Sequence, residues 1–176
     1  MASISEFRSE IAGGVQRQNK WQVTIPFPAF AGDGNDSRTV SILARTTKTP
    51  DFTIGEIEIP YFGRTLYMAG DRVYDPIDIS FIGTTAKQER DAFERWVEAF
   101  NGSDSNTATA GPLSDKLADI QIDLLDEAGA VVKSYTLVSA WPQNMIGYDL
   151  DATSADTLAE YTVTFRYDNL SSNTSR

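Results

Sequence analysis

Met68-Ala69-Gly70-Asp71-Arg72-Val73-Tyr74-Asp75-Pro76 runs directly into Ile77-Asp78-Ile79-Ser80-Phe81-Ile82. In the second stretch Ile77, Ile79 and Phe81 alternate with Asp78, Ser80 and Ile82, which predicts a half-buried strand. Beyond it the pattern changes to helical spacing, from about Ala86 to Asn101. Thr85 and Gln88 stand as a capping box, and Asn101-Gly102 supply the stop. Phe93, Trp96, Val97 and Phe100 share one face, each worth on the order of 1.5–3 kcal/mol when covered. Lys87, Arg90, Asp91, Arg95 and Glu98 fall outside that stripe, with Asp91 and Arg95 as a favourable pair one turn apart.

Upstream, Phe52 to Met68 reads as a long extended loop or hairpin. Ile57, Ile59 and Tyr61 fall on one side and Glu56 and Glu58 on the other; Pro60, Gly63 and Arg64 interrupt it, and Leu66 to Met68 resumes. Further back, Trp21, Val23, Ile25 and Phe27 alternate as a first strand, and Pro26 and Pro28 argue for an edge position. Ala31 to Ser37 reads as a turn and Val40 to Thr46 as a return strand. Ser3 to Ile11 carries Ile4, Phe7 and Ile11 at helical spacing behind a Ser3/Glu6 capping box, so a short arm precedes the domain.

Downstream, Gly102 to Ala118 is small and polar and reads as a mobile connection. Ile120, Ile122 and Leu124, a turn at Asp126 to Gly129, and Val131 to Val138 form a hairpin. Trp141-Pro142 marks a bend, Met145 to Leu150 another strand, Asp151 to Asp156 a polar turn, and Tyr161 to Tyr167 the last strand. The expected fold is mainly β (α+β): an antiparallel barrel or sandwich of two packed sheets, with one flanking helix. The expected division is an arm over 1–19, a β-domain over 20–168 and a flexible tail over 169–176.

At 176 residues the chain fits one domain with a sizeable core. It has neither cysteine nor histidine, which removes disulfides, thiolate nucleophiles, Cys/His zinc cages and the commonest acid–base side chain. Fifteen Lys and Arg against 25 Asp and Glu leave a net charge of −10, opposite to what phosphate binding requires. No apolar run reaches membrane-spanning length, and Met1 to Glu6 lacks the pattern of a signal peptide, so a cytoplasmic origin is expected.

The polar motifs offer little chemistry. Asp33-Gly34-Asn35-Asp36 resembles a calcium loop, but Arg38 and Ala44 occupy the positions that need Gly and Glu. Asp71-Arg72 reads as a structural ion pair or intersubunit contact rather than a catalytic pair, and Trp141-Pro142 as a core anchor at a bend. No catalytic, cofactor-binding or metal-binding residue is assigned, and no cofactor is expected.

Taken together and in order, Ala69-Gly70-Asp71-Arg72, the strand Ile77–Ile82, Phe93-Glu94-Arg95-Trp96, Trp141-Pro142-Gln143-Asn144, Asp149-Leu150-Asp151 and the aromatic strand Tyr161 to Tyr167 resemble the tail-tube family of contractile-tailed bacteriophages. The resemblance covers about Lys20 to Asp168. It implies sixfold rings whose inner strands merge into one barrel, stacked into a tube in the virion, with DNA passing through the bore without specific binding. It implies as partners other copies of the chain, a sheath, a baseplate initiator and a tail terminator. On that reading Glu56, Ile57, Glu58, Ile59, Tyr61, Arg64, Asp71 and Arg72 contact neighbouring subunits, while Phe93, Trp96, Phe100, Trp141 and Pro142 anchor the fold. An acidic bore is expected, lined by Glu56 and Glu58 or by Asp119 and Asp123. The alternatives are the tube of a bacterial contractile injection or secretion system, a β-rich binding module, and a carboxylate glycosidase.

Overall fold

Alternation at Ile77–Ile82 sets up a strand whose Ile77, Ile79 and Phe81 are all buried, and the computed structural model shows how the rest assembles with it. It describes residues 3–12, 14–109 and 111–173. In chain order these form α1 (Ile4–Glu10), β1 (Trp21–Thr24), α2 (Gly34–Leu43), β2 (Ala44–Thr46), β3 (Phe52–Tyr61), β4 (Arg64–Tyr74), β5 (Ile77–Ile82) and α3 (Gln88–Glu98). A short 3-10 turn (Leu113–Lys116), β6 (Ala118–Leu125), β7 (Val131–Ile146), β8 (Glu160–Arg166) and β9 (Asn169–Ser172) complete them.

One curled sheet runs β1–β6–β7–β8–β5–β2, with β9 also on β7, and every pairing is antiparallel. The expected two layers are therefore joined. β7 is 16 residues long and serves both: it pairs with β6 and β9 through its first half and with β8 through its second. The crossover falls at Ser139, whose φ of 58° is unusual for a residue with a side chain. Its N–H donates to the Asp119 carboxylate at 2.9 Å. The end strands β1 and β2 do not pair, which leaves the sheet a half-barrel. The hairpin β3–β4 forms a separate two-stranded sheet.

Val23, Ile25, Ile77, Ile79, Phe81, Ile120, Ile122, Leu137, Val163 and Phe165 fill the concave side, and Phe93 and Trp96 of α3 plug it. Phe27 lies edge-on to both rings, 4.9 Å from Phe93 and 5.7 Å from Trp96. Trp96 donates its indole N–H to the Lys116 carbonyl at 2.7 Å, so its polar edge is satisfied within the core. Phe100 and Trp141 are partners, with ring centroids 5.6 Å apart, and Pro142 is buried. Val97, placed in the buried stripe by its spacing, is 38% exposed.

Several expectations are corrected. The stretch read as a turn and return strand is α2, because Asp33 caps it: its carboxylate accepts the N–H groups of Asn35 and Asp36, and Asp36 reciprocates. Only Ala44–Thr46 is extended there. The flexible tail over 169–176 is wrong for Asn169–Ser172, which pair with Val138 to Tyr135 as β9; residues 174–176 lie outside the described residues. The connection after α3 is internally bonded: the Gly102 N–H donates to the Thr107 carbonyl, the Asn106 N–H to the Gly102 carbonyl, and the Lys116 ammonium to the Thr109 carbonyl. Trp141-Pro142 is not a bend between strands but the middle of β7. α3 begins behind Lys87, not behind a Thr85/Gln88 box.

The arm is present as α1, with no buried residue. Its connection reaches the body at Gln16, which donates to the Leu125 carbonyl, and at Arg17, which pairs with Glu127 at 2.8 Å.

Candidate functional site

The feature that stands apart from the core is the β3–β4 hairpin. Phe62 and Gly63, both at positive φ, make a two-residue turn whose twist matches that of paired strands. From it the strands run back in register, with Ile59 opposite Leu66, Glu58 opposite Tyr67, Ile57 opposite Met68 and Glu56 opposite Ala69. Side chains alternate across a strand pair, so Ile57, Ile59, Leu66 and Met68 share one face while Glu56, Glu58, Tyr67 and Ala69 share the other.

The register shifts between Ile54 and Glu56, where Gly55 faces Gly70 and Asp71. Backbones approach closely there: a methyl on Gly70 would stand 3.1 Å from the Gly55 carbonyl oxygen. The Gly-Asp step within Met68–Pro76 is thus a bulge, which bends the arm and re-aims the rest of β4. At the base the arm is tied down. The Tyr74 hydroxyl donates to the Asn169 side chain at 2.9 Å, and the Asp75 N–H to the Asp51 carbonyl.

No residue of either strand is buried. Ile57 is 53% exposed, Leu66 60%, Met68 53%, and Phe62 at the tip 91%. All eight residues that the sequence nominated as intersubunit contacts lie on this arm: Glu56, Ile57, Glu58, Ile59 and Tyr61 on β3, and Arg64, Asp71 and Arg72 on β4. Asp71 and Arg72 do not pair with each other. Neighbours along a strand project to opposite sides, and the Arg72 guanidinium lies over the Phe52 ring, 4.8 Å from its centroid. The resemblance implies that the long loop around Phe52–Asp71 as a whole meets a neighbouring subunit or the next ring, without singling out Phe62, Leu66, Tyr67 or Met68. Their mirrored spacing about Phe62-Gly63 was the available signal.

The other acidic candidates separate. Asp123 is only 3% exposed, and its carboxylate accepts the Ser134 hydroxyl at 2.6 Å and the amides of Gln121 and Gln22 at 2.9 and 3.2 Å. Burial pushes its pKa up, but the bonds from Ser134, Gln121 and Gln22 outweigh that and hold it below the ordinary aspartate value. Asp123 therefore ties β1, β6 and β7 together. Asp119 is exposed and accepts from Ser139.

Among the described residues no three His, Cys, Asp or Glu side chains group as a metal site. No helix among them is long and apolar enough to cross a membrane.

A profile described as phage tail tube protein matches residues 16–173. The chain is 41% identical over 169 residues to the tail tube protein of Serratia phage KSP90, covering 95% of each chain. It is 23% identical over 157 residues to tail tube protein gp19 of Enterobacteria phage T4, covering 89% of this chain and 91% of that one. In fold it is similar to a chain from the cryo-EM structure of the anti-feeding prophage baseplate, sixfold symmetrised, with a TM-score of 0.67 and 18% identity, covering 90% and 95% of the two chains. The chain therefore belongs to the phage tail tube protein family and is a structural subunit of the virion.

Proposed function

We propose that copies of this subunit join into sixfold rings that stack into a tube, with the β3–β4 hairpin of each copy packed on a neighbour. The observation that carries this is the apolar face of Ile57, Ile59, Leu66 and Met68, exposed on an arm with no cover of its own. An isolated two-stranded hairpin is marginal in water, and an apolar patch of this kind is a feature of interaction surfaces. Burying that face against another copy leaves Glu56 and Glu58 on the opposite, wetted side.

Those two carboxylates are the acidic lining of the bore in this reading. Asp123 is left out, because its charge is already engaged within the sheet. A carboxylate-lined wall repels phosphates, so DNA slides through without specific binding. Charges act over only about 8 Å at physiological salt, so the lining must belong to the bore itself. The role is structural and not enzymatic. A sheath outside, a baseplate initiator at one end and a terminator at the other complete the assembly, which forms in the host cytoplasm. The fold likeness to the anti-feeding prophage chain also suits an injection-system tube, but 18% identity speaks to fold alone, while the 41% relative is a phage tail tube protein.

The test is negative-stain electron microscopy of concentrated protein, alone and seeded with its tail initiator. Rings or hollow rods are expected. Solitary particles under both conditions would refute the proposal.

A further inference from the structure

We infer that the acidic turn between β7 and β8, with Leu150 flanked by Asp149 and Asp151, docks in one basic cavity of a second copy of this chain. The inference rests on the ring reading and adds a contact that the hairpin does not make.

The cavity lies between the segment that enters β1 and the segment that leaves β2. Its volume is about 580 Å3, and it is lined by the apolar side chains of Trp21 and Leu124 and by the cations Arg17, Lys20, Arg45 and Lys48. Four of the chain's 15 Lys and Arg thus open on one space that no carboxylate lines, in a protein of net charge −10. These cations are engaged only loosely. Arg17 pairs with Glu127, Arg45 with Glu160 and Lys48 with Asp51, and all three pairs are solvated. The Lys20 ammonium donates to the Glu127 carbonyl at 3.4 Å. Solvated pairs of this kind contribute little and exchange readily for other carboxylates.

The turn has the opposite character. Residues 149–159 are all exposed, carry Asp149, Asp151 and Asp156, and contain neither Lys nor Arg. Leu150 is 88% exposed, so its own subunit leaves it in water. The turn is shaped before it meets anything. The Asp151 carboxylate accepts the Thr153 N–H at 2.9 Å and the Thr153 hydroxyl at 2.7 Å. Those bonds hold its pKa below the ordinary aspartate value, so the charge is present at neutral pH. At the far end the Gly83 N–H donates to the Ala159 carbonyl at 2.8 Å, which ties the turn to β5.

The two surfaces complement each other in polarity as well as charge. Leu150 meets the apolar part of the lining at Trp21 and Leu124, and Asp149 and Asp151 meet the surrounding cations. No residue of the turn lines the cavity of its own subunit, so a second copy supplies the occupant.

Two charge reversals test this: Asp149→Lys with Asp151→Lys in the turn, and Lys20→Glu with Lys48→Glu in the cavity. Each pair should lower the fraction of protein that sediments as tubes by about tenfold or more, and all four changes together should restore about half of it or more. Thermal unfolding of the dispersed subunits checks that each variant folds. The chain lacks cysteine, so introduced thiols report cleanly and do not depend on the charge variants. Ala152→Cys is combined with Gln18→Cys, since Gln18 also lines the cavity, and assembled protein is treated with a short bifunctional maleimide. A ladder of covalent oligomers is expected on a denaturing gel, with each single variant giving dimers at most. A link closed within one chain would assign the turn to its own cavity and overturn the second-copy contact. Tubes that form normally from both reversed variants, with no ladder, would leave the cavity to some other partner and overturn the proposal while the ring reading stands. Wild-type protein that stays dispersed when seeded would remove both.

Discussion

Glu89, only 1% exposed in the first turn of α3, accepts both the backbone N–H and the hydroxyl of Thr84, each at 2.9 Å. The Thr84 hydroxyl in turn accepts the N–H of Lys87, whose φ of 56° makes it an unusual helix start. The clamp replaces an ordinary N-cap and fixes where α3 leaves β5. Glu89→Ala should cost about 1–3 kcal/mol, because it leaves the Thr84 donors unpaired. Urea denaturation measures it, and an unchanged midpoint would show that the clamp contributes nothing to stability.

Gly83 sits under the ring of Tyr148, which is itself held by Tyr161 at 5.7 Å and Arg90 at 4.7 Å. A methyl at Gly83 would stand 2.5 Å from Tyr148 Cε1. Gly83→Ala should therefore destabilise by about 1–3 kcal/mol. Adding Tyr148→Ala should relieve most of the strain of the extra methyl, giving clear non-additivity in a double-mutant cycle. Additive effects would show that the ring moves aside freely.

Ile57→Lys with Ile59→Lys places charge on the uncovered face of the hairpin. The subunit should keep its stability within about 0.5 kcal/mol, since neither side chain is buried in it. Tube formation should be lost. Calorimetry and micrographs read the two effects separately, and normal tubes from this variant would count against the hairpin as an assembly element.

Asp123→Asn exchanges an acceptor for a group that meets the Ser134, Gln121 and Gln22 donors with one of its own. A cost of about 1–3 kcal/mol is expected at neutral pH. The folded-state pKa of Asp123 lies below its unfolded value, so its contribution is fully present above the unfolded value near 3.9 and is lost as pH falls through the folded value. The gap between wild type and variant should accordingly narrow in acid below about pH 4. A gap independent of pH would mean that the charge contributes nothing.

Asp33→Ala removes both bonds that start α2 and should cost about 0.5–2 kcal/mol, with a small loss of helical circular dichroism. No change in either signal would argue that packing alone holds the segment helical.

Much of the fold was legible because its periodicity is local. Ile77, Ile79 and Phe81 had to face one way, and the Phe93 and Trp96 stripe had to be covered. The candidate site was legible for the same reason: Ile57 and Ile59 against Glu56 and Glu58 mark a two-faced extended arm. The misreadings fall where local pattern and tertiary contact disagree. Residues 34–43, rich in Gly, Asn, Ser, Thr and β-branched side chains, have weak helix propensity and read as turn and strand. They are helical because Asp33 caps them and Val40 is buried in the core.

By itself the sequence determined the strand at Ile77–Ile82, the helix that carries Phe93 and Trp96, and the apolar face of each. Only the tertiary structure decided that β7 runs unbroken through Trp141-Pro142, that Asn169–Ser172 is a strand, and that Asp123 spends its charge inside the sheet. Periodicity is a property of neighbours along the chain. Strand partnership is settled by hydrogen bonds between residues far apart in it, such as Asn169 with Val138 and Gln22 with Asp123, and no local spacing encodes those pairings.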